Sequence, residues 1–94
     1  MVLNIQLIDE NNVILPNIVD MSVKINDIQL LPNNISLAEF QYTFTANAIV
    51  KIEINYSGRR RFVNTFNLLD FDLGNSVGLG ITTNTPFQIL LAPI

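Results

Sequence analysis

The chain has no histidine, no cysteine and no tryptophan among its 94 residues. Without histidine it lacks the commonest general base and metal ligand at neutral pH. Without cysteine it lacks a thiol nucleophile and any disulfide framework, so the fold has to stand on its core. Charge is scarce too. Only 14% of residues are charged and the net charge is −3, where a free globular domain carries about a quarter charged residues. Two readings of that scarcity stand: a partner covers part of the surface, or Asn, Gln, Ser and Thr do the solvating. The acidic balance disfavours association with phosphate backbones. No stretch approaches the ~18 apolar residues of a membrane span. Met1 to Gln6 lacks the basic start and continuous apolar run of a signal peptide. The expectation is a non-enzymatic protein with no cofactor and no metal, working through protein partners and not through nucleic acid or membrane.

What is present is alternation. The hydrophobic fraction is 49%, too high for a disordered chain. A chain of this length buries roughly 60–70% of its unfolded surface, enough for one core, so residues 1–94 are read as a single domain. Period-two patterning marks strands. Leu3, Ile5 and Leu7 alternate with Asn4 and Gln6, and Asp9-Glu10-Asn11-Asn12 forms a turn cluster. Val13-Ile14-Leu15 is a short return stopped by Pro16-Asn17. Val19, Met21, Val23 and Ile25 share a face, Asn26-Asp27 turns the chain, and Ile28 to Leu31 ends at Pro32. Ala38, Phe40, Tyr42, Phe44 and Ala46 line one face of the next strand. Ala48, Val50, Ile52, Ile54 and Tyr56 line the one after it, up to Ser57-Gly58. A further strand runs from about Arg60 to Leu69, and Phe87 to Leu91 is the last. Turn signals every ~8–12 residues predict an all-β fold, a single antiparallel β-sandwich of about seven strands. The predicted core is Leu3, Ile5, Leu7, Met21, Val23, Phe40, Tyr42, Phe44, Val50, Ile52, Ile54, Phe66 and Ile89.

Little in the chain reads as chemistry. Arg59-Arg60-Arg61 is the one charge run. Two roles fit it: Arg59 and Arg61 grip an acidic partner surface with their guanidinium forks, or the run solvates a hairpin end and blocks edge pairing. Asp70-Phe71-Asp72-Leu73-Gly74-Asn75 superficially matches a calcium loop, but Ile81 stands where the bidentate carboxylate belongs. Gly74, Gly78 and Gly80 are not followed by the Lys-Ser/Thr of a phosphate loop. The segment from Asp70 to Pro86 is Gly-interrupted and rich in Thr and Asn. It reads as a docking loop carrying Phe71, Gly78, Gly80, Thr82 and Thr83, or as hiding a short strand from Val77 to Thr83. Glu39 and Glu53 alternate outward with no partner acid for catalysis. Asn34-Ile35-Ser36 and Asn55-Tyr56-Ser57 match the N-glycosylation pattern, read as chance in an Asn-rich chain.

The order of pieces resembles a family. Leu3 to Ile8, the Asp9–Asn12 turn and the Val13-Ile14-Leu15-Pro16-Asn17 step resemble the opening of transthyretin-like and carboxypeptidase-regulatory-like (Ig-like) sandwiches, with Val19 to Ile25 as the next strand. Glu39 to Phe44, Val50 to Ile54, and Ser57-Gly58-Arg59 before Phe62-Val63 resemble the family's later strand pairs. The likeness covers about residues 3 to 69. It departs at Asn11-Asn12, where the family has a Gly, and before Phe40, where its Thr-x-x-x-Gly is missing. The resemblance implies an accessory module: a stalk, an adhesion domain or a decoration of a larger assembly. The chain also resembles small single-domain accessory proteins of tailed-phage capsids, which often use immunoglobulin-like sandwiches, and its own richness in Ile and Asn is what AT-rich genomes such as those of crAss-like phages produce. That likeness implies an auxiliary capsid (decoration) protein, partnered by the major capsid protein or another large assembly, or by copies of itself. It would reside in the virion, or otherwise in the cytoplasm. The rival expectation is a carbohydrate- or ligand-binding sandwich module, with Phe71 and Phe87 as its exposed aromatics.

Overall fold

Alternating side chains become strands because a pleated backbone sends successive residues to opposite faces. The computed structural model describes residues 2–43, 49–67 and 87–94. They form β1 (Val2–Ile8), β2 (Met21–Ile25), β3 (Ile28–Leu30), β4 (Glu39–Thr43), β5 (Ile49–Tyr56), β6 (Phe62–Asn67) and β7 (Phe87–Leu90). A three-stranded sheet has the order β4-β1-β7, and a four-stranded sheet the order β3-β2-β5-β6. Over the described residues the fold is the expected all-β sandwich, with seven strands.

Successive strands reverse direction from β1 to β7, so odd-numbered strands all run the same way. Four of the pairings join an odd strand to an even one and are antiparallel. The fifth sets β1 beside β7, and two odd strands can only pair in parallel: Ile5 lies opposite Phe87 and Leu7 opposite Ile89. A wholly antiparallel reading therefore needs that one amendment.

The core lies between the sheets. Leu3, Ile5 and Leu7 of β1, Phe40 of β4 and Ile89 of β7 face Val23, Ile25, Val50, Ile52, Ile54 and Tyr56 of the other sheet. Met21, Tyr42 and Phe66 pack on its margin, half-buried. Phe44, also expected inside, lies outside the described residues. Leu15, Ala38 and Leu91 join the core from outside the strands. Leu15 accepts a hydrogen bond from Ala38 N at 2.8 Å and donates one to the Leu7 carbonyl at 2.8 Å, which draws both small segments inward.

Strands β2 and β6 start later than expected, β6 at Phe62 instead of about Arg60 and β2 at Met21. Val19 does not open β2 but sits in a bend, 99% exposed. The bend is fixed because Ser57 N donates to the Asp20 carbonyl at 3.0 Å and the Tyr56 hydroxyl to the Pro16 carbonyl at 2.6 Å. These bonds hold residues 16–20 across the end of the core and out of the ladder.

Candidate functional site

The register puts four pieces at one end of the sandwich. They are the β1–β2 connection (residues 9–20), the β3–β4 connection (31–38), the β5–β6 turn (57–61) and the C-terminal residues 91–94. Local polar chemistry sets each. Asp9 Oδ1 accepts from the backbone N–H of Asn11 and Val13, an Asx turn that lets Asn12 sit at φ 62°. Asn34 Oδ1 accepts from Ser36 N and Leu37 N. Gly58 takes φ 81°, open to glycine because it has no Cβ. The two long connections are laced together: Asn17 N donates to the Ser36 carbonyl, and Asn17 Nδ2 to the Asn34 carbonyl.

The arginine run lies at this end but does not form one anion-gripping face. Arg59 Nη1 donates to Glu10 Oε2 at 2.7 Å and reaches the Leu91 carbonyl at 3.4 Å. It ties the β1–β2 connection to the C-terminal segment, with its side chain only 20% exposed. The Glu10 carboxyl is lowered from its ordinary value, by a backbone hydrogen bond first and Arg59 second. Arg61 Nη2 donates to Glu53 Oε2 at 2.7 Å, on the outer face of the four-stranded sheet, where Lys51 Nζ also approaches Glu53 at 3.4 Å. Between them Arg60 is exposed and gives its backbone N–H to the Ala92 carbonyl. Arg59 and Arg61 are thus engaged with carboxylates of their own chain, at different places.

Phe71, Gly78, Gly80, Thr82 and Thr83 lie outside the described residues, as does the whole Asp70–Pro86 segment. Phe87 is not an exposed platform. It is half-buried, with its ring edge-on to Phe66 at 5.2 Å, and Phe66 is stacked with Phe62 at 6.4 Å. Asn34, within one glycosylation match, has its Nδ2 committed to Glu39 Oε1 at 2.9 Å. Among the described residues no group of three or more His, Cys, Asp or Glu converges as a metal site, and no helix is long and apolar enough to cross a membrane.

The feature not anticipated from sequence is apolar. Val13, Val19, Leu31, Ile35 and Ile94 are all exposed, Val19 and Ile35 almost completely (99% and 95%). All five belong to the loop end. They come from three separate stretches of chain set among Pro, Asn and Asp. Val13, Leu31, Ile35 and Ile94 lie outside the alternating runs, which was their signal in the sequence; Val19 continues the β2 alternation and gave none. Hydrogen-bonded loops present them, so little conformational freedom remains to be lost on contact.

No protein-family model, curated protein or solved structure matches the chain.

Proposed function

We propose that this protein is a non-enzymatic structural interaction protein of transthyretin-like build, serving as an auxiliary (decoration) protein on a virus capsid, most plainly that of a tailed bacteriophage. The observation that carries the docking part is that Val13, Val19, Leu31, Ile35 and Ile94, five of the nine exposed large aliphatic residues among the described residues, lie at one end of the sandwich. Burying a Val, Leu or Ile side chain is worth about 1.5–3 kcal/mol, so Val19, Leu31 and Ile35 are the docking contacts. The transthyretin-like part is supported by where the matching segments fall: on β1, β2, β4, β5, the Ser57-Gly58 turn and β6. The capsid part is supported by the sparse charge and the Ile- and Asn-rich composition of the chain.

The mechanism is surface complementarity. The loop end seats on the scaffold, and the Arg59–Glu10 pair keeps two of its loops in register. The Asp70–Pro86 segment supplies a second contact, which lets one copy bridge neighbouring subunits. Amide hydrogen exchange of the protein, free and bound to purified capsids, tests this. Binding is expected to slow exchange in residues 13–20 and 31–37, and in Ser76 to Asn84. Bound protein with unchanged exchange in 13–20 and 31–37 would remove the loop end as the docking surface.

A further inference from the structure

On the outer face of the three-stranded sheet, the rows of polar side chains make a small depression. Asn4 stands opposite Gln41 and Gln6 opposite Glu39 in the β1–β4 register, so all four project to the same side. The β3–β4 connection rises beside them and brings Asn33, its backbone N–H donating to the Glu39 carbonyl at 2.9 Å. The depression holds about 260 Å³. Ile5 and Phe40 also border it, but their side chains are buried in the core, so they offer it only main chain.

Its side chains are already arranged. Glu39 accepts from Gln6 Nε2 at 2.8 Å and from Asn34 Nδ2 at 2.9 Å, and Gln6 Oε1 accepts from Gln88 Nε2 at 3.1 Å. This chain from the β3–β4 connection to β7 fixes the Gln6 and Glu39 rotamers before any ligand arrives.

The chemistry narrows what fits. Among the described residues no Lys or Arg lines the depression, so nothing there compensates an anion. The single carboxylate already has a donor on each oxygen, which leaves little to hold a bare cation. Among the described residues no apolar side chain lines it, so an apolar ligand gains nothing from them. What remains is a neutral ligand whose groups both donate and accept. Hydroxyls do this from one atom, and side-chain amides answer with an N–H₂ and a carbonyl. The volume lies below the ~300–1,000 Å³ of sites for drug-sized ligands, which suits a single sugar ring.

We propose that this depression is a binding site for a neutral saccharide, contacted by Gln6, Asn33, Glu39 and Gln41. The site lies on a sheet face and does not depend on the docking reading. With no aromatic side chain among the described residues to stack on, its affinity is expected to be on the order of millimolar, as for small ligands held by a few hydrogen bonds.

The test is a titration of the isotope-labelled protein, followed by backbone amide NMR shifts. The probes are glucose, galactose, mannose and N-acetylglucosamine, added separately. At least one is expected to shift the amides of Gln6, Glu39 and Gln41 saturably. The double substitution Asn33→Ala with Gln41→Ala changes two exposed side chains and leaves the fold intact. It is expected to weaken that binding at least tenfold. Absence of saturable shifts at these residues with all four sugars would overturn the proposal, and so would equal affinity in the double variant.

Discussion

Tyr56 closes the loop end of the core with one bond. Its ring packs in the core, and its hydroxyl donates to the Pro16 carbonyl at 2.6 Å. Burial raises the phenol above its ordinary value of 10.0, against a smaller opposing pull from Arg59. The neutral form is therefore the one the fold favours. Its contribution is fully present below the unfolded-state value and is lost as pH rises through the folded one. Tyr56→Phe is expected to lower stability by about 1–2 kcal/mol in a urea melt at neutral pH, the loss of one hydrogen bond whose acceptor must find water instead. Above pH ~10 the gap between wild type and variant should narrow. A variant as stable as wild type at neutral pH would mean that residues 16–20 are held without this bond. Alternation alone puts Tyr56 on the same face as Ile52 and Ile54. It does not reveal the oxygen that the hydroxyl meets across the sandwich, because that depends on the path of the β1–β2 connection.

The β2–β3 hairpin shows how turn chemistry fixes an element. Asn26 and Asp27 both have positive φ, 51° and 69°, the pair of values that matches the twist of a two-residue hairpin. Asn26 also ties the turn to β5: its N–H donates to the Lys51 carbonyl, and its Oδ1 accepts from Lys51 N. A β-branched residue at such a φ is strained by roughly 1–2 kcal/mol. Asp27→Val is thus expected to lower the urea midpoint by an amount corresponding to that strain, while Asp27→Gly should leave it level or raise it slightly. Equal midpoints for the two would show the turn relaxing to another type. Elements of this kind were legible: Asn-Asp between two alternating runs marks the hairpin, and β1 and β5 follow from their periods. Val19 was misread because it continues the β2 period by two residues, and only the bonds at Pro16 and Asp20 show where the strand begins. Leu15 and Ala38 were missed because neither belongs to a strand. The partners of the arginines were not legible either. Glu10 and Glu53 lie far away or across a turn in the chain, and a side-chain parity count places Arg59 and Arg61 on a common face without saying what already occupies each.

At the scale of the molecule, the strand directions collect three connections and the C-terminal residues at one end, and with them five of the nine exposed large aliphatic residues among the described residues, the others being Ile28, Ile49, Val63 and Leu90. No local pattern contains that information. Val19, Leu31 and Ile35 read as scattered apolar residues in turns until the topology brings their loops together. Together they offer roughly 5–9 kcal/mol on burial, comparable with the ~4–15 kcal/mol lost on ordering two bodies into one. The loop end alone therefore gives weak attachment, and firm attachment needs the second contact assigned to Asp70–Pro86. Substituting fully exposed residues changes fold stability by no more than ~0.5 kcal/mol, so the docking surface can be altered without unfolding the protein. The most direct measurement is co-sedimentation with virus particles purified from the same source, comparing wild type with the double variant Val19→Asp, Ile35→Asp. Wild type is predicted to bind saturably, and the variant to stay in the supernatant with an unchanged urea midpoint. Equal binding by the two would contradict the loop end as the docking surface, and failure of wild type to bind would contradict the capsid role.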